Sequence, residues 1–310
     1  MQLAIVVPCY NEESVLPETA KRLRALLGQL VTADKVDAAS RIYFVDDGSK
    51  DRTWALIEEL ARQEPVFKGI KLSRNCGHQI ALLAGLLTVP GDAVISIDAD
   101  LQDDLGAVEP MIDAFLSGHE IVYGVRKKRD TDSFMKRATA TGYYRLLERL
   151  GVEIVFNHAD YRLMGRRALQ ALATYDEVNV FLRGLIPQLG FRTSTVYYDR
   201  LERFAGESKY PLRKMLALAW NGITSFSAAP LRFITGIGIV IAVCSFGITA
   251  WALAVRLFTH NAVPGWASIV VPIYFMGGLQ LFAIGLIGEY LAKTYLESKR
   301  RPRFFIETSL

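Results

Sequence analysis

Residues 93–103 read AVISIDADLQD, an apolar run of β-type residues that ends in three acids. Similar short apolar runs occur along the first half of the chain, separated by segments whose apolar residues recur at helical spacing. The predicted strands are LAIVVP (3–8), RIYFVDD (41–47), KGIKLS (68–73), AVISIDAD (93–100) and EIVYGVR (120–126). Strands that alternate with helices predict an α/β fold with a mostly parallel, Rossmann-like sheet covered by helices on both faces.

The intervening helices are predicted over 12–30, 51–63, 77–88 and 105–117. The next segment, 133–173, looks helical with a break near 157–160, and TSTVYY (193–198) is typical of another strand. Ligands of open α/β sheets bind beyond the carboxyl ends of the strands. The residues that follow each strand are therefore the candidates for function.

The last third of the chain is much more apolar than the rest. Two uncharged runs, 233–255 and 265–288, are each long enough to cross a hydrocarbon core, which needs about 20 helical residues. The alternative, two buried core helices, is disfavoured because soluble helices rarely run this long without an amphipathic stripe. We therefore predict a C-terminal transmembrane hairpin with helices over 231–257 and 265–291.

Basic residues flank this hairpin on both outer sides, whereas its connection, 258–264, contains neither Lys nor Arg. The positive-inside rule then places both termini in the cytoplasm, and the N-terminus lacks the basic region of a signal peptide. The formal net charge of +4 comes partly from the tail and indicates attraction to anionic lipid, not nucleic-acid binding. The predicted parts are a catalytic domain (1–209), an amphipathic interfacial segment (210–230), the membrane hairpin (231–292) and a basic cytoplasmic tail (293–310).

Asp98 and Asp100 lie two residues apart at the end of a predicted strand, so their side chains point the same way and can share a cation. Carboxylates with open coordination positions suit Mg²⁺ or Mn²⁺ bound to phosphate oxygens. The alternative is a solvated acidic turn. The fully apolar strand before these acids, and the second acid pair at Asp46 and Asp47, favour the metal site.

The loops after the first two strands allow two interpretations. Asn11 and Glu12 can be an N-cap with an acid in the first helical turn, and Ser49 with Asp51 can be ordinary turn and cap residues. Asp46 is harder to explain this way, because a carboxylate at a strand's end is well placed to accept hydrogen bonds from a base or ribose.

Taken together, P-x-Y-N-E after the first strand, D-D-G-S after the second and D-A-D-L-Q-D after the fourth resemble the family 2, GT-A-fold glycosyltransferases. The resemblance extends to Ser73-Arg74-Asn75, to Asp160-Tyr161-Arg162-Leu163, to the stretch 203–209 and to the two apolar runs. It points to the polyisoprenyl-phosphate branch, which includes dolichol-phosphate mannose synthase and the GtrB-type and ArnC-type bacterial enzymes. It covers nearly the whole chain.

This resemblance implies a role for each matched residue. The nucleotide pocket is expected to contain Pro8, Tyr10, Asn11, Glu12, Asp46 and Asp47, and the metal to lie among Asp98, Asp100 and Gln102. Arg203, Ser208 and Lys209 are expected to meet the donor diphosphate or the acceptor. Asp100, Asp160, Arg162 and Arg203 are assigned to catalysis, with Asp160 acting in orientation or as a residual base. His78 and His158 are interpreted as structural residues or as residues that support the site from behind its ligands.

A lipid phosphate already carries about 1.5 to 2 negative charges at neutral pH, so an acceptor of this kind needs positioning more than deprotonation. The site should therefore supply cations that hold two phosphorylated substrates together. The basic stretch 126–137 provides them, with Arg126 and Arg137 the candidates by analogy and a solvated basic loop the alternative.

The function implied by the resemblance is inverting transfer of a hexose or pentose from a nucleotide sugar to undecaprenyl phosphate. The enzyme is expected to be a multi-pass protein of the bacterial cytoplasmic membrane and a homo-oligomer, with a tetramer favoured. A UDP-sugar is favoured as donor, while glucose, 4-amino-4-deoxy-arabinose and N-acetylhexosamine remain open. A processive polysaccharide synthase is disfavoured by the missing Q-x-x-R-W motif, and a catalytically silent scaffold by the intact metal acids.

Overall fold

The computed structural model describes residues 1–127, 158–178, 180–199 and 266–310, with short pieces at 231, 234–241, 243–244, 247 and 251. The chain divides into two compact units, Met1–Leu212 with Arg300–Leu310, and Arg213–Lys299. The predicted interfacial segment (210–230), the connection 258–264 and most of the first predicted span lie outside the described residues.

The first unit is built on an eight-stranded mixed sheet with the strand order β7-β5-β6-β4-β1-β2-β3-β8. Its strands are β1 (Leu3–Cys9), β2 (Arg41–Asp46), β3 (Phe67–Leu72), β4 (Ala93–Ser96), β5 (Ile121–Arg126), β6 (His158–Gly165), β7 (Thr193–Tyr198) and β8 (Ile306–Ser309). Pairings β1–β2, β1–β4, β2–β3 and β5–β7 are parallel, and β4–β6, β5–β6 and β3–β8 are antiparallel. The predicted α/β class with a mostly parallel sheet is confirmed.

Helices cover both faces of this sheet, as the alternating pattern predicted. They are α1 (Leu16–Thr32), α2 (Thr53–Gln63), α3 (His78–Thr88), α4 (Val108–Leu116), α5 (Arg166–Ala173) and α6 (Leu182–Gln188), and a 3-10 turn spans Leu105–Ala107. Along β1, Ile5 and Val7 pack with α1, α2 and α4, while Ala4 and Val6 pack with α3, α5 and α6. Burial on both faces explains why β1 has no polar alternation.

Strand β6 corrects the sequence analysis, which predicted helix and a helix break over these residues. It lies between β4 and β5 and is antiparallel to both. Two charged residues, Asp160 and Arg162, interrupt its apolar pattern although both are buried. A strand with buried charges resembles neither an alternating nor a continuous apolar run, so periodicity missed it.

The C-terminal residues return to the sheet, which the interpretation of 293–310 as a basic tail did not predict. Strand β8 pairs with β3, and Lys71 Nζ lies 3.0 Å from Glu307 Oε1. The backbone N–H of Ser73 donates to the carbonyl of Phe305 at 3.0 Å. This antiparallel strand is short and mostly exposed, so its sequence carries little signal.

The second unit contains helix α7 (Trp266–Ser298), which covers the second predicted span except for its first residue and continues beyond it. By length and hydropathy, no helix within the described residues qualifies as a membrane span.

Candidate active site

The loops after β1 and β2 are tied together by hydrogen bonds. The Asn11 N–H donates to Ser49 Oγ at 3.0 Å, and Asn11 Oδ1 accepts from the Lys50 N–H at 2.9 Å. The Glu12 N–H donates to Thr53 Oγ1 at 2.9 Å. Helix α1 begins only at Leu16, so the interpretation of Asn11 as its N-cap is wrong. Asn11 instead adopts a φ of 56° and braces one loop against the other.

The carboxylates of Asp46 and Asp47 accept hydrogen bonds from different loops although the two residues are neighbours. Asp46 is fully buried at the end of β2 and accepts from the Ser49 N–H, and burial raises the pKa of its carboxyl. Asp47 accepts from the N–H groups of Cys76 and Gly77 at 2.7 and 2.9 Å. Burial also raises the pKa of Asp47, against the effect of these bonds. Asp47, predicted for the nucleotide pocket, therefore holds the loop that leads into α3.

The remaining residues predicted for the nucleotide lie at the same edge of the sheet. Pro8 is buried at the penultimate position of β1, opposite Val45 of β2, and Tyr10 just beyond the strand is 41% exposed. Gly48 has a φ of +66°, and a Cβ there would approach the backbone of Arg74 to 2.7 Å. Only glycine allows these two loops to come so close.

The acids of the predicted metal site lie on a loop and not on a strand. β4 ends at Ser96, so strand alternation does not align Asp98 with Asp100, which corrects the geometric argument above. Asp100 Oδ1 accepts from the Gln102 N–H at 3.2 Å, and the residue between them has a φ of 58°. The loop therefore curls locally within the short segment that contains Asp98, Asp100 and Gln102.

Asp98 lies in a crowd of negative charge. Its carboxyl is 32% exposed, and removal from bulk water raises its pKa to about 6. The carboxylates of Asp103, Asp160 and Asp100 add to this rise, whereas His78 opposes it. Like charges held close together favour the protonated form unless a cation joins them.

Asp103 anchors the far end of this loop and was not among the predicted site residues. It is buried, and the Tyr198 OH donates to its Oδ1 at 2.5 Å. Arg126 Nε donates to the Tyr198 OH at 3.2 Å, and Arg126 Nη2 lies 3.6 Å from Asp103 Oδ1. Because Arg126 and Tyr198 are neighbours in the β5–β7 register, the predicted Arg126 lies at the same edge as the metal loop.

Asp160, on β6, is the centre of a dense polar cluster. Arg162 Nη2 donates to its Oδ1, while Arg183 Nε and Nη2 reach Oδ1 and Oδ2 at 3.3 and 3.1 Å. Gln79 Nε2 donates to Oδ2 at 3.0 Å. Burial acts to raise the pKa of Asp160, but Arg183, His78 and Arg162 hold it well below its ordinary value.

Arg162 was predicted to be catalytic, and its side chain is fully buried beneath Asp160. Burial lowers the pKa of its guanidinium, and its Nε and Nη1 have no hydrogen-bond partner among the described residues. Arg162 therefore acts on the site through the charge and position of Asp160.

His78 lies between the two acidic groups, in the supporting position that was one of its two predicted roles. Its Nε2 lies 3.5 Å from Asp98 Oδ1 and 3.6 Å from Asp160 Oδ2. Burial acts to lower the pKa of His78, yet the hydrogen bond to Asp160 and the charge of Asp98 raise it overall. The strand pairing is consistent with this proximity. Ser96, the last residue of β4, pairs with Arg162 of β6, so Asp98 follows two residues after one partner and Asp160 comes two residues before the other.

Sequence reasoning missed Gln79, Asp103 and Arg183. Gln79 and Arg183 lie in no motif, and only the fold brings them to Asp160. The predicted residues Arg137, Arg203, Ser208 and Lys209 lie outside the described residues. Within the described part of the chain, no three or more His, Cys, Asp or Glu side chains form a metal-binding group.

Comparison with known proteins relates this arrangement to an established group. The family model described as "Glycosyl transferase family 2" matches residues 4–173. An uncharacterized glycosyltransferase of Bacillus subtilis, YkoT, is 50% identical over 99% of this chain and 92% of its own. The bactoprenol glucosyl transferase of Shigella phage SfV is 40% identical, covering 99% of this chain and 98% of its own. A prophage bactoprenol glucosyl transferase homolog of Escherichia coli is 38% identical over 99% of both chains.

Proposed function

Because the chain belongs to glycosyl transferase family 2, as its motifs predicted, we propose that it transfers a sugar from a nucleotide donor to a polyisoprenyl phosphate. Relatives named as bactoprenol glucosyl transferases, similar over nearly the whole chain, support this acceptor class. The observation that carries the proposal is the placement of two opposed charge clusters on either side of His78. One cluster is acidic and suits a cation, and the other is rich in arginine and suits an anion.

The donor nucleotide is proposed to bind at the loops after β1 and β2. Tyr10 is exposed there, Glu12 follows two residues later, and Asp46 ends the neighbouring strand β2. The hydrogen bonds that tie these loops together fix their shape before any ligand arrives, which lowers the ordering cost of binding. A UDP-sugar is the favoured donor.

The acidic loop fits a divalent cation by the chemistry of its donors. Asp98 and Asp100 offer hard carboxylate oxygens and Gln102 an amide oxygen, and Mg²⁺ or Mn²⁺ often takes one or two carboxylates together with substrate phosphates. Burial, together with the charges of Asp103, Asp160 and Asp100, raises the pKa of Asp98, and a bound cation would favour its ionised form. When bound, such a cation would neutralise the charge that builds on the leaving diphosphate.

Asp160 is proposed to orient groups and not to accept a proton. A carboxylate whose pKa is held well below its ordinary value is a weak base. An anionic lipid phosphate does not need deprotonation to attack. Transfer then takes place in one displacement at the anomeric carbon, so an α-linked nucleotide sugar gives a β-linked lipid product.

The C-terminal part is proposed to hold the enzyme in the bacterial cytoplasmic membrane through two spans, 231–257 and 265–291. Large apolar side chains of its described residues are strongly exposed, including Leu281 at 73%, Ile269 at 64% and Phe282 at 60%. Hydrocarbon is the environment that best accommodates such a surface. Cysteine labelling from each side of the membrane tests this, and a 258–264 loop accessible from the cytoplasm would contradict it.

The enzymatic proposal is tested with the purified full-length protein. It is incubated with undecaprenyl phosphate, Mn²⁺ and a panel of nucleotide sugars, and the lipid product is identified by mass. We expect one donor to yield a lipid-phosphate-linked sugar with release of the nucleoside diphosphate. Product formation that persists in excess EDTA would refute the metal, and the absence of product with every donor would refute the acceptor class.

A further inference from the structure

The C-terminal segment (303–310) extends the pairing of β3 towards the active site. The parallel register of β2 with β3 ends at Lys71, whereas the antiparallel register of β8 with β3 continues to Leu72. The Ser73 N–H then donates to the Phe305 carbonyl at 3.0 Å. The C-terminal segment therefore pairs with the last residue of β3 and with the first residue of the loop that follows.

The C-terminal segment is itself fastened to the sheet at both ends. Arg303 Nη1 donates to the Tyr175 carbonyl at 2.7 Å. Phe304 is half-buried and packs against the apolar cluster on the α3 face of the sheet. At the other end, the Leu310 N–H donates to the Gly69 carbonyl at 2.9 Å. Two side chains thus hold its start, and a backbone bond holds its end.

The loop after β3, residues 73–77, has a second support in the loop after β2. Asp47 accepts from the Cys76 N–H at 2.7 Å, and a Cβ on Gly48 would approach the backbone of this loop to 2.7 Å. Cys76 also packs against the apolar cluster that Phe304 contacts. The loop is therefore supported by the predicted nucleotide loops and by the C-terminal segment.

The residues that come directly after this loop belong to the active site. Helix α3 begins at His78, whose Nε2 lies 3.5 Å from Asp98 Oδ1, and Gln79 Nε2 donates to Asp160 at 3.0 Å. Gly77, which precedes them, has a φ of +92°, a conformation that side chains other than glycine rarely adopt. Because the loop sets where α3 begins, its shape also affects these contacts.

We propose that Arg303 and Phe304 are positioning residues, which fasten the C-terminal segment and thereby keep the loop 73–77 in the shape that donor binding requires. This rests on the proposed function, because it concerns the nucleotide-sugar site of that reaction. Without the C-terminal segment, β3 would be the edge of the sheet, and the loop would lose one of its supports. The entropic cost of ordering the loop would then oppose donor binding.

The test compares two double variants of the full-length enzyme in detergent, with kcat and the KM for each substrate measured separately. Arg303→Gln with Phe304→Ala should raise the KM for the nucleotide sugar by roughly tenfold, because donor binding must then order the loop. The KM for undecaprenyl phosphate should change by less than about twofold, because the loop adjoins the nucleotide loops.

The matched control is Arg301→Gln with Phe305→Ala, which removes the same two side-chain types from neighbouring exposed positions. Phe305 is 61% exposed and pairs with the loop through its carbonyl, which alanine keeps. This control should leave all three constants unchanged. A rise in the nucleotide-sugar KM as large as that of the first double variant would overturn the proposal.

Hydrogen exchange of the same proteins separates positioning from a general loss of stability. The amides of 73–77 should exchange roughly tenfold faster in the first double variant, while those of the buried strand β1 should keep their wild-type rates. Equal acceleration in both segments would mean that the side chains only stabilise the fold, which overturns the proposal.

An unchanged nucleotide-sugar KM in the folded variant, or a rise confined to the lipid KM, would also refute the positioning role. If the double variant does not fold, Arg303→Gln alone decides by the same criteria. A wild-type enzyme that makes no lipid product refutes the proposed function instead. Hydrogen exchange needs no activity and still tests the support of the loop, so the two failures are distinguishable.

Discussion

The two acidic groups on either side of His78 have opposite electrostatics. On the β4 side, Asp98 lies among other carboxylates, and its pKa is raised to about 6. On the β6 side, Asp160 is gripped by arginines, and its pKa lies well below the ordinary value. Desolvation acts to raise the pKa of both carboxyls, so burial alone does not explain the contrast. The charge of the neighbours decides it.

Because of this difference, the two sides of the site favour ligands of different charge. The Asp160 side carries its own counter-charges in Arg162 and Arg183. On the Asp98 side, carboxylates outnumber the one cationic group, His78, that lowers the pKa of Asp98. The proposed metal therefore belongs on the β4 side, where it would bring a metal-bound diphosphate close to Asp160.

The largest expected effect comes from removing charge on the β4 side. Asp100→Asn should lower kcat by roughly 10²- to 10⁴-fold, because metal stabilisation of the transition state contributes several kcal/mol. Asp104→Asn is the matched control, since Asp104 Oδ1 only accepts from the Gly106 N–H and asparagine caps equally well. Turnover is measured with saturating metal, and equal losses in both variants would contradict a specific role for Asp100.

On the β6 side, the corresponding change should act mainly on stability. Asp160→Asn leaves Arg162 buried without its counter-charge, which should lower the free energy of unfolding by about 3–5 kcal/mol. Adding Arg162→Met should recover part of that loss, because the uncompensated charge is removed. Thermal unfolding of the three proteins in one detergent checks this. A double variant less stable than Asp160→Asn would show that the pair is not the cause.

The same contrast explains how far the sequence could predict the molecule. The strands β1, β2 and β4 are apolar runs that end in acids, so both the strands and the candidates beyond them were readable. Asp160 was found only through a family motif, and its strand was predicted as helix. Arg183 lies in no motif, and its place beside Asp160 comes from a contact with a residue 23 positions away.

Site residues that belong to a local sequence motif can be predicted from the sequence. Site residues that are defined by tertiary contacts cannot. Asp47 is a case that the sequence left incomplete. The family resemblance implied a place in the nucleotide pocket, and the structure adds that its carboxylate accepts from the backbone N–H groups of Cys76 and Gly77. Those partners are 29 and 30 positions away along the chain, so only the fold shows them.

A pH titration sharpens the contrast further. A metal ion binds the ionised form of Asp98, and with a pKa of about 6 this form is roughly one tenth populated at pH 5 and nine tenths at pH 7. We expect Mn²⁺ affinity, measured by electron paramagnetic resonance of the free ion, to be about tenfold weaker at pH 5. Because this pKa is raised on folding, the EDTA-treated protein should lose stability as the pH rises through 6.

The control for that titration is His78→Gln, because the pKa of His78 is itself raised by Asp160 and Asp98 and its Nε2 lies near both carboxylates. If Asp98 is the source, the affinity should still fall between pH 7 and pH 5 in the variant. A flat profile in His78→Gln would assign the effect to the imidazole.

The smallest effect on activity is expected from removing the Tyr198 hydroxyl, a neutral group that hydrogen-bonds to Asp103 at the end of the acidic loop. Tyr198→Phe removes the OH that donates to Asp103 and accepts from Arg126, while the ring keeps its edge contact with Tyr161. Losing one such bond should lower the free energy of unfolding by about 1 to 3 kcal/mol, since Asp103 is left buried. Activity should fall only a few-fold, because Asp98 and Asp100 stay in place and Arg126 can still pair directly with Asp103.

Unfolding and steady-state rates are measured together for this variant. The control is Tyr197→Phe, because the Tyr197 side chain is 61% exposed on the same strand. A loss of activity as large as that of Asp100→Asn would mean that the loop's position, and not its charge, limits the reaction.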